Sequence, residues 1–326
     1  MTWRGRGSAL GSATLALLLA ACATGGAPGD PARTSAVSQL PSVPSSSPAV
    51  RVVSPSYPAR SRTPRTTASM HSSAPVPPTS EPPSVIASGG IGGRATAAVQ
   101  YANRHAMTSG VAVLDTSTNT LYTAGNASGY YASASVVKTL IATRLLLDGQ
   151  MSGDVDTLAT RMIEQSDNDA AWTLYPRVGK DALLPWVERH YGIAIGAPPT
   201  MPGIWGSTQI SARGLVRFYA AVRHDPKVWP WLADAMHGYR SRSASGEPNA
   251  FGIAAIAPSS AVKNGWDTNR DVKAPSNAIV NSTGFVQHDR YAVAILSEGP
   301  GSLYFARGEQ IVTDEAELLM PHGRLS

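Results

Sequence analysis

The spacing of hydrophobic residues predicts a mixed α/β fold from about residue 94 onward. Apolar positions at helical spacing predict a helix over 94–107. Two short apolar stretches, 111–114 and 121–124, are separated by a Ser-Thr-Asn turn and predict paired strands. Residues 135–147 are apolar on almost every side, which is typical of a helix buried at the centre of a domain.

The later part of the chain predicts further helices and then three more strands. Short helices are indicated up to residue 240, and strands at 261–263, 278–281 and 291–296. The last strand is continuously apolar, as expected for a central strand covered on both faces. A final helix is indicated by apolar positions between 312 and 319.

This order of elements predicts the fold class. A helix, two strands, a helical block, three strands and a helix imply an α/β domain with a five-stranded, mainly antiparallel sheet. The N- and C-terminal helices are expected to cover one face of the sheet, and a reduced helical block the other.

The N-terminus has the pattern of an exported protein. Arg4 and Arg6 precede a short apolar run, 9–21, that ends in Leu-Ala-Ala-Cys. This is typical of a signal peptide, and the run is too short to span a bilayer. The last four residues resemble the bacterial lipobox, in which the cysteine, here Cys22, is lipidated and becomes the mature N-terminus. The alternative is an ordinary signal peptide with an incidental cysteine.

The segment after Cys22 is rich in Pro, Ser, Ala, Thr and Gly and has few large apolar residues. Such a composition does not offset the entropy of ordering the chain. We therefore predict a signal peptide over 1–21, a lipidated and disordered tether over 22–92, and one folded domain over 93–326. As a flexible coil the tether would span on the order of 45 Å.

Composition excludes several classes of function. The net charge is +5, and much of the arginine excess lies in the Pro/Ser-rich tether, so no basic folded face is indicated and no nucleic-acid partner is expected. The seven histidines lack paired-ligand spacing, and Cys22 is the only cysteine. We therefore expect no metal site and no cofactor.

Three short motifs occur in a fixed order: Ser135-Val136-Val137-Lys138, Ser166-Asp167-Asn168 and Lys263-Asn264-Gly265. Together they resemble the S-x-x-K, S-D-N and K-T-G signature of the serine β-lactamase/DD-peptidase (penicillin-recognising) superfamily. The chain looks most similar to the class A β-lactamase-related lipoproteins of actinobacteria, the LppW-like group. The resemblance covers roughly residues 93–326.

The resemblance implies a role for each motif residue. The expected catalytic residues are Ser135 as nucleophile, Lys138 as its base, and Ser166 as a proton relay. The expected substrate-binding residues are Asn168, Lys263, Asn264, Gly265 and Trp266. Within this set, Lys263 would attract a substrate carboxylate, and the backbone N–H groups of Ser135 and Trp266 would form an oxyanion hole.

Each motif also has a purely structural interpretation. Ser135 could cap a buried helix while Lys138 extends to the surface. Residues 166–169, Ser-Asp-Asn-Asp, are also typical of a turn that caps the start of a helix. Lys263-Asn264-Gly265 could be a strand entering a turn. Only the ordered trio favours an active site over these alternatives.

The match to the superfamily is incomplete. Ser166 follows Ser135 by only 31 positions, and Asn264 replaces the hydroxyl residue of the third motif. Residues 192–210 contain no carboxylate to activate a deacylating water. Glu188 lies in an apparent helix and Glu164 is expected to be solvated. An acyl-Ser135 intermediate is therefore expected to hydrolyse slowly.

Two functional hypotheses follow. The first is a serine hydrolase or acyltransferase, anchored to the extracytoplasmic face of the cell membrane and acting on a D-Ala-D-Ala-like peptide or related amide. Its partners would be a peptidoglycan stem peptide or a β-lactam-like small molecule. The second is a non-catalytic peptidoglycan-binding or scaffolding lipoprotein on a degenerate β-lactamase fold.

Overall fold

The structure, a computed structural model, describes residues 90–269, 277–303 and 306–325. Its helices are α1 (Gly90–Arg104), α2 (Lys138–Leu147), α3 (Asp154–Glu164), α4 (Asn168–Leu174), α5 (Leu183–Tyr191), α6 (Ala212–Arg223), α7 (Trp229–His237), α8 (Ile253–Ile256) and α9 (Ala306–Leu319). Its strands are β1 (Thr108–Asp115), β2 (Thr120–Gly125), β3 (Tyr131–Ala132), β4 (Gly196–Ala197), β5 (Gln209–Ile210), β6 (Ala261–Asn269), β7 (Asn277–Val286) and β8 (Tyr291–Pro300).

Within the described residues, five strands form an antiparallel sheet in the order β2-β1-β8-β7-β6. The strand β8 lies at the centre, between β1 and β7, and β6 is paired to β7 along one edge. A small second sheet, in the order β3-β5-β4, ties the chain just before Ser135 to residues 209–210. The sheet thus provides an edge strand, β6, beside the start of the central helix.

Two hydrophobic cores lie on opposite faces of the large sheet. Alternate residues of β8 divide between them: Ala292, Ala294 and Leu296 face the core built with α2 to α7, while Val293 and Ile295 face the core built with α1 and α9. This alternation is the period-two geometry of a strand with both faces covered. The predicted fold class is confirmed, including the terminal helices on one face and the helical block on the other.

The first helix differs from its predicted bounds. It was expected over 94–107 but runs over Gly90–Arg104, so residues 90–92, assigned above to the tether, are helical. Gly92 and Ala95 are buried, which brings the first turn into the core. The helix ends early because Ala106 adopts a left-handed conformation, and the Met107 N–H donates back to the Ala102 carbonyl.

The signal peptide, Cys22 and most of the tether lie outside the described residues. No helix within the described part of the chain has the length and apolar character needed to cross a membrane.

A buried asparagine on β7 fixes the chain that leads into the central helix. The Asn281 Nδ2 donates to the carbonyl oxygens of Ala132 and Ser133, at 3.0 and 3.2 Å, and its Oδ1 accepts from the Ser297 N–H at 3.3 Å. The Asn281 side chain therefore connects the residues before Ser135 to the two neighbouring strands β7 and β8.

We predict that Asn281→Ala destabilises the protein, because it leaves two buried carbonyl groups without this donor. The expected loss in free energy of unfolding is about 2–4 kcal/mol, measured by urea denaturation. Asn103→Ala, the same change at an exposed position of α1, is the control and should stay within about 0.5 kcal/mol of the parent. Equal stability of the two variants would contradict the assigned role.

Candidate active site

Ser135 lies in a tight helical turn, Ala134–Val137, that leads directly into α2. The preceding residue, Ala134, has a φ of +45°, a conformation that is strained for a residue with a Cβ. The turn places the Ser135 N–H among the first helical donors, which lack partners inside the helix. Strained backbone immediately before a serine at a helix start is typical of a functional site rather than of a helix cap.

Lys138 is fully buried and holds the second motif. Its Nζ lies 2.7 Å from the Ser166 carbonyl oxygen and 2.7 Å from Asn168 Oδ1. Its Nζ also lies 4.7 Å from the centre of the Trp205 ring, so that the amine packs over the indole. Among the described residues its hydrogen-bond partners belong to the second motif, and Ser135 Oγ is not one of them. The interpretation in which Lys138 extends to the surface is wrong.

The Ser166 hydroxyl lies between two lysines. Lys263 Nζ is 2.9 Å from Ser166 Oγ, and Lys138 Nζ is 3.5 Å from the same atom. Ser166 has a φ of +53°, so its backbone is also in the left-handed region. The first turn of α4 follows at once, capped by the Asp167 carboxylate, which accepts from the Ala170 N–H and pairs with Arg161.

Burial changes the charge of both lysines. It holds the pKa of Lys138 well below its usual value, an effect increased by the neighbouring Lys263 ammonium and opposed by Asp167. Burial also lowers the pKa of Lys263 to about 7. Burial therefore favours the neutral amine of Lys138, which is the form that a proton-abstracting lysine requires.

The site opens into a cavity of about 160 Å³. Ser135, Ser166 and Asn168 line it, together with residues from distant parts of the chain: Ala134, Trp205, Ser243, Ser245, Glu247, Trp266 and Asp267. The fold therefore brings the first and second motifs together on one cavity, with Trp266 from the strand of the third motif on its wall.

The third motif divides between the two faces of β6. Gly265 packs against the turn that carries Ser135: a Cβ at this position would lie 2.9 Å from both the Ser133 carbonyl oxygen and the Ser135 nitrogen. A glycine is thus required for this edge strand to approach the Ser135 N–H. Trp266 follows on the cavity wall, with its ring 5.8 Å from that of Phe251.

The structure corrects the expectation that Asn264 contacts substrate. Its Nδ2 donates to the carbonyl oxygens of Asn249 and Phe251, both at 3.0 Å, and its Oδ1 accepts from Ser282 Oγ at 2.8 Å. The side chain is buried and does not line the cavity. The reason is strand geometry, because Lys263 takes the face toward Ser166 and its neighbour must take the other.

Lys263 also differs from the expectation of a lysine that attracts a substrate carboxylate. Its Nζ donates to Ser166 Oγ and, at 3.1 Å, to the Asn264 carbonyl oxygen, and the side chain is buried. Lys263 does not line the cavity. It contacts the Ser166 hydroxyl rather than the space that a substrate would fill.

Neither of the two glutamates considered from the sequence belongs to the cavity. Glu188 Oε1 accepts from the Ile195 and Gly196 N–H groups, so it holds the loop after α5. Glu164 was expected to be solvated, but its carboxylate is mostly buried and pairs with Arg240 at 3.0 Å. The slow hydrolysis of an acyl-Ser135 intermediate, expected because residues 192–210 contain no carboxylate, remains a prediction.

Sequence reasoning missed the residues of the loop 243–247. Ser243, Ser245 and Glu247 line the cavity, and they alternate along the chain as S-x-S-x-E. That alternation of hydroxyls and a carboxylate was the available signal, but it lies in a Gly/Pro-containing stretch with no periodic element around it.

Comparison with solved structures places the fold among the class A β-lactamases. A β-lactamase from Chitinophaga pinensis matches with a TM-score of 0.55 and 14% identity, over 69% of this chain and 97% of that one. An ancestral class A β-lactamase matches with a TM-score of 0.54 and 17% identity, over 69% and 98%. At these identities the likeness shows the fold. No protein-family model matches the chain.

Comparison with curated proteins identifies the family. Lipoproteins named LppW, from Mycobacterium tuberculosis and Mycobacterium bovis, are each 32% identical to the chain over 231 residues. The match covers 66% of this chain and 70% of each relative. The chain belongs to the LppW family, and its fold is that of a β-lactamase, as the sequence motifs had predicted.

The lowered pKa of Lys263 predicts a pH-dependent stability. Between pH 7 and the ordinary lysine pKa of about 10.4, the unfolded chain binds the proton and the folded chain does not, so stability rises with pH. We expect the free energy of unfolding of the parent to rise relative to that of Lys263→Met between pH 7 and 9. Lys227→Met, at an exposed position, is the control and should run parallel to the parent. Parallel curves for Lys263→Met would refute the depressed pKa.

Proposed function

We propose that this protein is a serine hydrolase or acyltransferase of the cell envelope that forms an acyl intermediate on Ser135. The observation that carries the proposal is the convergence of three distant motifs. Ser135 and Ser166 line one cavity, and the Ser166 hydroxyl lies between the Lys138 and Lys263 amines. A structural role for each motif would not require this arrangement.

The hydrogen bonds of Lys138 fit a neutral amine that acts as base. A neutral amine has two N–H donors and one lone pair, and two acceptors, the Ser166 carbonyl and Asn168 Oδ1, lie at 2.7 Å. When both donors are used in this way, the lone pair remains to accept the Ser135 proton. Ser135 Oγ would then attack the substrate carbonyl as the O–H proton passes to Lys138.

Ser166 is placed to return that proton to the leaving group. Its hydroxyl accepts from Lys263 at 2.9 Å and also faces Lys138, so a proton taken by Lys138 reaches the leaving nitrogen or oxygen through Ser166. The C–N or C–O bond breaks as this proton is delivered, and the acyl group stays on Ser135 Oγ. The Ser135 and Trp266 N–H groups would stabilise the developing oxyanion.

The proposed substrates are D-Ala-D-Ala-like peptides of peptidoglycan or related amides and esters, with β-lactams as small-molecule analogues. Support comes from the fold, from the relationship to proteins named lipoproteins, and from the signal sequence and Cys22. In this proposal the lipid on Cys22 anchors the chain to the membrane, residues 23–89 act as the tether, and the domain acts outside the cytoplasm.

A second candidate is a wall-binding protein without turnover. The observation that favours it is the placement of Lys138 Nζ, whose hydrogen bonds within the described residues go to Ser166 and Asn168 and not to Ser135. In this case the cavity would bind a peptidoglycan fragment and Ser135 would remain unmodified.

Covalent labelling separates the two candidates. We expect a fluorescent penicillin or a fluorophosphonate probe to label the protein, and Ser135→Ala to abolish the signal on a gel. Lys138→Met should slow labelling by about 10²–10⁴-fold, because it removes the base. Ser152→Ala and Lys227→Met, at exposed positions, are the matched controls. Absence of labelling by both probes would favour the wall-binding candidate.

Turnover of the acyl-enzyme is expected to be slow. A chromogenic cephalosporin should give a burst of about one equivalent of product followed by little further hydrolysis, and mass spectrometry should find the adduct on Ser135. The physical reason is that residues 192–210 contain no carboxylate and that Glu188 and Glu164 are engaged elsewhere, at Ile195/Gly196 and at Arg240. The carboxylates on the cavity wall, Glu247 and Asp267, lie on the loop 243–247 and on β6 instead. Sustained hydrolysis at a typical enzyme rate of about 10 s⁻¹ would show this to be wrong.

A further inference from the structure

Glu247 is a carboxylate on the wall of the cavity that contains Ser135. Its Oε2 accepts hydrogen bonds from the hydroxyls of Ser243, at 2.6 Å, and of Ser245. Its own backbone N–H donates to Ser243 Oγ at 3.1 Å. The carboxylate is thus held by one oxygen, and within the part of the chain that the structure describes, its Oε1 makes no hydrogen bond.

The loop that carries Glu247 is fixed to the site from two sides. The Ala244 N–H donates to the carbonyl of Gln165, the residue before Ser166, at 2.7 Å. Asn249 receives a hydrogen bond from the buried Asn264 side chain on β6, and its Nδ2 donates to the Arg240 carbonyl at 2.9 Å. Glu247 is therefore held in place between the second and third motifs.

The hydrogen bonds from Ser243, and then from Ser245, lower the pKa of Glu247, so it is ionised at neutral pH. Within the described residues no arginine or lysine forms an ion pair with it.

The positive groups of the site do not balance this charge on the cavity surface. Lys138 and Lys263 are buried and neither lines the cavity. Burial holds the pKa of Lys138 well below its usual value and lowers the pKa of Lys263 to about 7, so both amines carry less positive charge than an exposed lysine. Glu247, by contrast, is partly exposed on the cavity wall. A ligand in the cavity therefore meets the carboxylates of Glu247 and Asp267 and no exposed ammonium from the motif lysines.

Aromatic rings complete the wall. Trp205 and Trp266 both line the cavity beside Glu247. An indole ring attracts a cation and offers little to a carboxylate. Carboxylate and indole together form a lining suited to an ammonium group.

We infer that Glu247 selects substrates that carry a positively charged group, such as a primary ammonium, beside the reacting carbonyl, in place of a terminal carboxylate. This rests on the proposed function for the identity of the reacting group, Ser135, and it narrows the substrate class to amides and esters with a cationic arm. A peptide with a free amine is one such substrate.

Equilibrium binding tests this inference without the chemical step. The background is Ser135→Ala, and the probes are three forms of N-acetyl-L-Ala-D-Ala: the free carboxylate, the methylamide and the 2-aminoethylamide, with charges of −1, 0 and +1. Binding is measured by quenching of tryptophan fluorescence, since Trp205 and Trp266 line the cavity. We expect the aminoethylamide to bind at least about tenfold more tightly than the carboxylate, with the methylamide between them.

Charge variants assign the preference to Glu247. Adding Glu247→Gln, which keeps an oxygen acceptor for Ser243 and Ser245, should bring the three affinities to within about threefold, and Glu247→Arg should reverse their order. Glu317→Gln, at an exposed position of α9, removes the same charge and should leave the preference intact. The preference should also weaken as sodium chloride is raised from about 20 to about 500 mM, because salt screens the attraction between the ammonium group and the carboxylate.

Three results would overturn the inference: tighter or equal binding of the carboxylate, a preference unchanged by Glu247→Gln, or no binding of any of the three peptides. Failure of the proposed function is read separately, from labelling of the parent protein by an uncharged fluorophosphonate. If that labelling is absent while the aminoethylamide still binds in a Glu247-dependent way, the ligand class stands and the acyl-transfer function does not.

Discussion

The burial of two amines against one hydroxyl is the constraint on which the site depends. Lys138 and Lys263 both face Ser166 Oγ from positions with almost no exposed surface. Two ammonium ions in such a place would each lose their hydration and repel each other. Burial and the neighbouring Lys263 lower the pKa of Lys138, which favours its neutral form, and the Ser166 carbonyl and Asn168 Oδ1 accept hydrogen bonds from its N–H groups. The base and the proton relay of the proposed mechanism would thus follow from the burial of these two amines.

The surrounding architecture serves this arrangement. The second motif must reach the central helix from α4, and the third from the edge strand β6, so the helical block and the sheet have to be docked correctly before any of these contacts form. Asn281 and the glycine at position 265 bring the strand and the serine turn together. The left-handed conformations of Ala134 and Ser166 lie at the two points where the chain enters the cavity. Backbone strain at both points is compatible with the fold only because these neighbouring contacts hold it.

Most of the fold could be predicted because the signals are local and periodic. Continuous apolar residues identified β8, helical spacing identified α9, and the order of elements identified the sheet. The motif positions were likewise local, and the structure brings Ser135, Ser166 and Asn168 onto one cavity. The sequence could also have predicted that Asn264 faces away from Ser166, because adjacent residues of a strand point to opposite faces and Lys263 was expected in the site.

The position of Glu247 could not be predicted, because it depends on long-range contacts. Its loop is held by the backbone of Gln165 and by Asn264, and the alternation of Ser243, Ser245 and Glu247 does not by itself indicate that the loop reaches the cavity. The start of α1 was missed for a related reason, because glycines are poor helix formers and only packing against the core makes residues 90–92 helical.

The pairing of β6 with β7 has a consequence for how the site tolerates change. Lys263 is opposite Thr283 and Asn264 is opposite Ser282, and each of these neighbours receives or gives a hydrogen bond on its own side of the sheet. A slip of one residue in this pairing would move the Lys263 amine to the opposite face of the sheet and the Asn264 amide to the face toward Ser166. An insertion or deletion in this edge strand would thus disrupt both the contact with Ser166 and the buried hydrogen bonds of Asn264, so changes of length are expected to be confined to the loops on either side.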